Sequence, residues 1–279
     1  MNELRAADAY CRVLASRHYE NFVVAAPFLK RETRTDLARI YGFCRITDDL
    51  GDESGEEALQ RLRRWRDEVV ATFAGELPVH PVLFALRETI RKHGMNERPF
   101  LDLIEANVQD QRVNSYDTWA DLDAYCMLSA APVGRMVLEA FGLRTALARQ
   151  LSDDVCVGLQ LANHAQDVSR DAKLGRTYLV GTDLAAGGVV HAVEVMVARA
   201  RRLLDSGRSL EAMAPQALRM QLALYRLGGL AICDEIAAIG YRTDVQRPHV
   251  SSKKKLALIA GVMMETLRPR AQVGDAATV

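Results

Sequence analysis

Two short acidic stretches carry the residue types most able to do chemistry: Asp48-Asp49-Leu50-Gly51-Asp52, and Asn163-His164-Ala165-Gln166-Asp167-Val168-Ser169-Arg170-Asp171. On a helix advancing ~100° per residue, Tyr41, Arg45, Asp48 and Asp52 fall within ~60° of one another, and Gln160, Asn163, Asp167 and Asp171 within ~80°. An acidic cluster seen alone is as readily a solvated helix end. The second stripe is different, because Leu159, Leu161, Ala162, Ala165 and Val168 surround it. Unpaired buried carboxylates are very costly, so an apolar setting calls for a cation. Two facing stripes would suit magnesium, which takes oxygen ligands, keeps several waters, and bridges a few carboxylates to substrate phosphates.

Other metal and cofactor chemistries find little support. Carboxylate-bridged di-iron bundles need Glu-x-x-His pairs, and none of the six histidines (18, 80, 93, 164, 191, 249) has a Glu three residues before it. Nor do they show the His-x-x-x-His spacing of zinc hydrolases; His164 reads as a cavity-wall or core residue. Without Gly-x-Gly-x-x-Gly or a Walker loop, nicotinamide and nucleotide binding have no motif. What remains is magnesium-assisted loss of diphosphate: cations neutralise the leaving group, and the carbocation survives in an apolar, water-poor pocket. Arg45, one turn before Asp48, is placed to meet the diphosphate, though a helical pair with Asp49 is the ordinary alternative.

The elements that position these residues read as helices throughout. Apolar positions recur with helical period over Glu3 to Tyr19, over the segment carrying the first stripe, over Glu56 to Ala74 (with Ser54 and Glu57 as a capping box), over Val82 to Lys92 closed by Gly94, and over Pro99 to Arg112. Pro27 marks a turn after the first. Asp117 to Phe141 reads as one long helix bent at Ser129 to Gly134, and Thr145 to Asp171 carries the second stripe. Gly175, Gly181 and Gly187-Gly188 suggest a mobile flap; Glu194 to Leu204, Pro215 to Tyr241 and Lys253 to Leu267 are again helical. The expectation is an all-α fold, one domain over residues 1–270 with a short polar tail over 271–279.

Composition sets outer bounds. The chain has 279 residues, 49% of them hydrophobic, and 36 basic against 36 acidic side chains. That balance gives no global field towards nucleic acid. Five scattered cysteines without a Cys-x-x-Cys pair argue for a reducing compartment. With no apolar leader and no long apolar run, a cytoplasmic protein is expected, peripheral membrane contact remaining open.

These residues also resemble a family. The stretches HYENF (18–22), YGFCRITDDLGDE (41–53), YCMLSAAPVGR (125–135), LQLANHAQDVSRDAKLGRTYL (159–179) and GYRTDVQRPHVS (240–251) resemble the squalene and phytoene synthases over nearly the whole chain. The resemblance implies a single-domain isoprenoid-synthase (class I terpenoid synthase) fold with a central cavity, magnesium as cofactor, and head-to-head chemistry on prenyl diphosphates. It implies metal or metal-diphosphate roles for Asp48, Asp52, Asn163, Asp167 and Asp171. It implies substrate contacts for His18, Asn21, Phe22, Tyr41, Arg45, Tyr125, Gln160 and Tyr241.

Within the family, the ENF after His18, the SAAPVGR and the LQLAN-QDV-RD pattern look most like bacterial hydroxysqualene synthases of hopanoid biosynthesis. Those enzymes take presqualene diphosphate and let water capture the rearranged cation. Val24, His164-Ala165 and Val180 depart from that subgroup, and the missing aromatics at 164–165 bear on pocket shape. The alternatives are head-to-head condensation of two farnesyl diphosphates, phytoene synthesis, and a terpene cyclase, whose metal triad shares the 163/167/171 spacing. A head-to-tail elongase fits less well, because Val168 interrupts its second aspartate motif, and a non-catalytic helical scaffold would need degraded stripes.

Overall fold

The computed structural model describes residues 2–17, 29–52 and 55–267, and every regular element in them is a helix. In chain order these are α1 (Asn2–Arg17), α2 (Arg31–Gly51), α3 (Glu56–Phe73), α4 (Pro81–His93), α5 (Arg98–Gln109), α6 (Trp119–Ser129), α7 (Ala131–Ala140), α8 (Ala146–Gln166), α9 (Val168–Lys173), α10 (Gly181–Met213), α11 (Gln216–Ala238) and α12 (Ser252–Leu267). His18, Asn21, Phe22, Pro27, Ser54 and the 271–279 tail lie outside the described residues.

Local chemistry explains the boundaries. Pro81 opens α4, and the His80 ring accepts from the Val82 N–H at 3.2 Å; Gly94, at φ 56°, closes it in the left-handed conformation that glycine tolerates. Thr118 and Asp121 form a reciprocal capping box on α6, and Thr145 caps α8. Gly55, at φ 91° and without a side-chain cap, precedes α3, and Glu57 pairs with Arg61 at 3.2 Å; Ser54, the other half of the expected capping box, is not among the described residues.

Three further readings need correction. The long helix expected over 117–141 is two, broken at Ala130, because Pro132 has no N–H to give and its ring clashes with the preceding turn. The helix over 145–171 steps at Asp167 (φ −98°, ψ 13°) into α9. Its hydrogen bonds run on across the step, from Asp167 N to Asn163 O and from Asp171 N to Asp167 O. The glycine-rich flap is largely helical: α10 starts at Gly181 and only kinks at Gly188 (φ 73°). Its leading connection is tied down by Thr177 N to Asn114 O, Gly181 N to Tyr116 O and Thr182 N to Asp117 O. Residue type signalled a loop there, and three long-range backbone bonds decided otherwise.

Two apolar cores result. One gathers α1 to α5 and α7, with the start of α8, the end of α10 and the start of α11, around Phe43, Trp65, Leu83, Leu86 and Phe100. The other gathers α6, α8, α10 and α11 around Leu122, Leu161, Met196 and Leu204. By length and apolar composition alone α10 passes as a membrane-crossing helix, with 22% of its most apolar stretch buried; Ala192, Val193, Met196, Ala200 and Leu204 form its buried face in the second core. All five cysteines are free thiols.

α2 packs in the first core, and the stripe-bearing end of α8 in the second. Phe43 stacks on Trp65 (5.8 Å, 16°) and meets Phe100 edge-on, while Trp65 Nε1 donates to buried Thr47 at 2.9 Å. That fixes α2 one residue before Asp48. On the other side Arg135 grips Asp153 through two bonds of 2.9 and 2.8 Å, locking α7 to α8.

One buried charge anchors α2 to α4. Asp36, 3% exposed, accepts from Lys92 Nζ (2.8 Å) and Thr89 Oγ1 (3.0 Å) and bonds His93 Nε2 (2.9 Å). Burial alone would raise its pKa, but the bonds from His93, Lys92 and Thr89 outweigh burial and hold it below the ordinary 3.8. A depressed folded pKa stabilises above the unfolded value and ceases to as pH falls through the folded one. Asp36→Ala is therefore expected to cost about 3 kcal/mol near pH 7, with the gap to wild type narrowing below about pH 4. Urea midpoints at pH 7 and in acid check this; equal midpoints at pH 7 would refute it.

Candidate active site

The first stripe lies on the last two turns of α2. Tyr41 and Arg45 are half-buried, Asp48, Asp49 and Asp52 exposed. Arg45 bonds Asp49, the ordinary helical pair, but its guanidinium also comes within 3.8 Å of Asp52, and its buried Nε has no hydrogen-bond partner among the described residues. The pairing therefore leaves donor capacity for an anion. Encroaching protein, then repulsion from Asp52 and Asp49, pushes the Asp48 carboxyl up to about 7, against hydrogen bonding from Asn107 and the pull of Arg45. Burial likewise raises the Tyr41 hydroxyl. Gly51 presses against Asn107, whose Oδ1 would lie 2.1 Å from a Cβ at that position, and Gln111 donates to the Gly51 carbonyl at 2.8 Å. The end of α2 is thus pinned to α5.

The second stripe runs through the step between α8 and α9. Asn163 is exposed, Gln160, Asp167 and Asp171 half-buried. Asp167 is bonded by Arg247 and lies 3.7 Å from Arg170. Burial, then repulsion from Asp167, pushes Asp171 up to about 6, opposed by Arg170, Arg176 and Arg247. The link after α11 braces this corner: the Thr243 carbonyl accepts from Ser169 N at 3.3 Å and the Pro248 carbonyl from Gln166 Nε2 at 2.7 Å. Tyr241, at φ 59°, sits in that link and packs on the second core.

Between the stripes stands a group that sequence reading missed. Asp110 caps α5 and accepts from the Tyr125 hydroxyl at 3.0 Å. Burial pushes its carboxyl up to about 6; Tyr125, Arg176 and Tyr178 pull it down and Asp52 pushes it up. Tyr178 feels both Asp110 and Asp171. Asp110, Arg176 and Tyr178 thereby connect the two stripes electrostatically. Tyr116, Tyr125, Tyr178 and His164 form a continuous aromatic wall, with His164 stacked on Tyr178 at 3.7 Å and 17° and Tyr125 on Tyr178 at 5.6 Å. His164 is buried, which pushes its pKa down to about 3 and keeps the imidazole neutral, and its Nε2 lies 3.2 Å from Gln160 Nε2. The wall restores in space the aromatic surface that residues 164–165 lack in sequence. The signals for Arg176, Tyr178 and Arg247 lay in the quoted LGRTYL and VQRPHV stretches; Asp110 had none.

The donor set can be weighed for magnesium. Among the described residues no three carboxylate, imidazole or thiol side chains lie together as a metal cluster. The carboxylates come instead as neighbours that repel one another, Asp48 with Asp52 and Asp167 with Asp171. Such pairs suit an ion that completes its shell with water and phosphate oxygens, and they do not suit zinc, which takes four close protein ligands in structural sites and three in catalytic ones.

Comparison with known proteins agrees with this geometry. A solved squalene synthase, HpnC from Alicyclobacillus acidocaldarius, superposes with a TM-score of 0.81 at 43% identity, over 86% of this chain and 97% of that one. A dehydrosqualene synthase superposes with a TM-score of 0.86 at 23% identity, over 95% and 98% of the two chains, and so shares the isoprenoid-synthase helical fold. In sequence the chain is 32% identical to a hydroxysqualene synthase of Rhodopseudomonas palustris across 75% of this chain and 73% of the relative. It is 35% identical to a presqualene diphosphate synthase of the same organism, in a match spanning only 57% of either. The sequence profile of the squalene/phytoene synthases matches residues 15–254, and the chain belongs to that family.

Proposed function

We propose that the protein is a magnesium-dependent enzyme that takes presqualene diphosphate and water to hydroxysqualene and diphosphate. The observation that carries this reading is the convergence of two repelling carboxylate pairs and a set of arginines on one aromatic wall. Asp48, Asp52, Asn163, Asp167 and Asp171 would hold magnesium, which supplies positive charge to the departing diphosphate.

The chain's own groups do the rest. Arg45, Arg176 and Arg247 offer fixed positive charge, which favours departure of an anion in a site of low polarity. Tyr41 and Gln160 lie on the stripes as hydrogen-bonding contacts for the same group. Tyr125, Tyr178 and neutral His164 present ring faces, whose negative quadrupole steadies a carbocation without attacking it. A protonated histidine would repel that cation, and the deep burial of His164 keeps the ring neutral. The apolar side chains of α8 around the stripe exclude bulk water, so that capture depends on a positioned water and not on solvent at large.

Condensation of two farnesyl diphosphates is the second reading, favoured by the 35% identity to a presqualene diphosphate synthase. Incubation with presqualene diphosphate, magnesium and oxygen-18 water, without nicotinamide, is expected to give a labelled C30 alcohol. An unlabelled alcohol, a need for NADPH, or product from farnesyl diphosphate alone would overturn the first reading.

A further inference from the structure

We infer that Asp110 is the base that takes the proton from the water that captures the cation. The inference rests on the proposed hydroxysqualene chemistry and adds a residue to it.

The geometry of the carboxylate is lopsided. Oδ2 is engaged by the Tyr125 hydroxyl at 3.0 Å and the Tyr178 hydroxyl also bears on the carboxylate, whereas Oδ1 is buried and meets no partner in hydrogen-bond geometry among the described residues. Buried polar atoms in folded proteins are nearly always bonded, and each exception calls for an explanation. A water donating to Oδ1 would satisfy it. That water would stand beside the ring wall of Tyr125, Tyr178 and Tyr116, where the cation would be held.

The alternatives among neighbouring groups are poorer bases. The stripe aspartates are committed to the diphosphate end. The tyrosine hydroxyls are weak acids made weaker by burial, Tyr178 to about 12 and Tyr125 well above its ordinary value. His164 is pushed down to about 3 by burial, too weakly basic to accept. Asp110 faces Tyr125, Tyr178, Tyr116, Arg176 and Asp52; with its carboxyl near 6 it is charged at neutral pH and still basic, the range in which a general base is effective.

The step balances. Water oxygen bonds the cationic carbon, one O–H bond of that water breaks, and its proton passes to Asp110 Oδ1. A neutral alcohol and a neutral carboxylic acid result. The released diphosphate or solvent takes the proton afterwards and restores the carboxylate.

The test follows diphosphate release and alcohol formation separately, with presqualene diphosphate as substrate. Wild type should form one alcohol per diphosphate. Asp110→Asn keeps the shape and an acceptor for Tyr125 but not the basicity. Alcohol formed per diphosphate released should fall at least tenfold in favour of hydrocarbons that have lost a proton, whatever the change in the rate of release. Asp110→Glu should recover a substantial share of alcohol, which a merely structural role would not bring about. An unchanged alcohol-to-diphosphate ratio in Asp110→Asn, or equal loss of both products in Asp110→Asn and Asp110→Glu, overturns the assignment alone. If wild type releases no diphosphate from presqualene diphosphate, the functional reading fails first and the assignment falls with it.

Discussion

Replacing Asp48, Asp52 or Asp167 with Asn is expected to slow diphosphate release by about 10²- to 10³-fold, ~3–4 kcal/mol of transition-state stabilisation, while the helical fold stays intact. The substitution is close in shape, and Asp48 and Asp52 are exposed, so packing has little to lose. The sign of the stability change discriminates further. Asp48 is raised to about 7 because protein crowds it and Asp52 repels it. A group whose pKa rises on folding opposes folding when ionised. Asp48→Asn should therefore melt no lower than wild type in the absence of ligands, a cost of function recovered as stability. Magnesium with inorganic diphosphate should raise the melting temperature of wild type through binding to the folded state, and should do so less in each variant. Full turnover in a chelator, or the same ligand-induced shift in all three variants, would refute the role given to the stripes.

The parts of this site that sequence disclosed were those written on a single helix. Tyr41, Arg45, Asp48 and Asp52 share a face because 3.6 residues make a turn, and Asn163, Asp167 and Asp171 keep their column because the hydrogen bonds persist across the step at Asp167. Periodicity also located most of the helices, since every described helix but the shortest buries some apolar residues. The parts that stayed hidden are brought together by tertiary structure. Asp110 follows α5, Tyr125 belongs to α6 and Tyr178 to the link before α10. Their meeting depends on backbone bonds between residues some 60 apart, such as Thr177 N to Asn114 O. No local pattern encodes such a junction. The loop expected from Gly181 onward has the same origin, for a glycine signals a loop by type whereas Gly181 serves close approach to Asp117 at the start of α10.

Close approach is also what aims the second stripe, and it gives the other large expected effect. Gly158 lies in α8 with the Leu204 Cγ, the Ala200 carbonyl oxygen and the Leu203 Cβ at 3.0, 3.1 and 3.1 Å from where a Cβ would stand. Gly207 of α10 meets Val155, and Gly229 of α11 meets Leu159 and Leu204, in the same manner. Counting ~100° per residue from Gly158, Asp167 falls on the opposite side of the helix. The glycine face of α8 is therefore sunk against α10, and the carboxylate face is turned away from that contact towards the site. Gly158→Val would add two further carbons where the Cβ position is already 3.1 Å from the Ala200 carbonyl oxygen. The expected cost is about 3 kcal/mol, seen as a melting temperature lower by roughly 6–12 °C. An α8 displaced by even about 1 Å would also misplace Asn163 and Asp167 and slow diphosphate release about 10²-fold. Gly158→Ala should be far milder, because the gain in helix propensity, about 1 kcal/mol, offsets contacts that need yield only a few tenths of an ångström. A Gly158→Val protein that melts and turns over like wild type would show that the approach of α8 to α10 does not hold the second stripe in place.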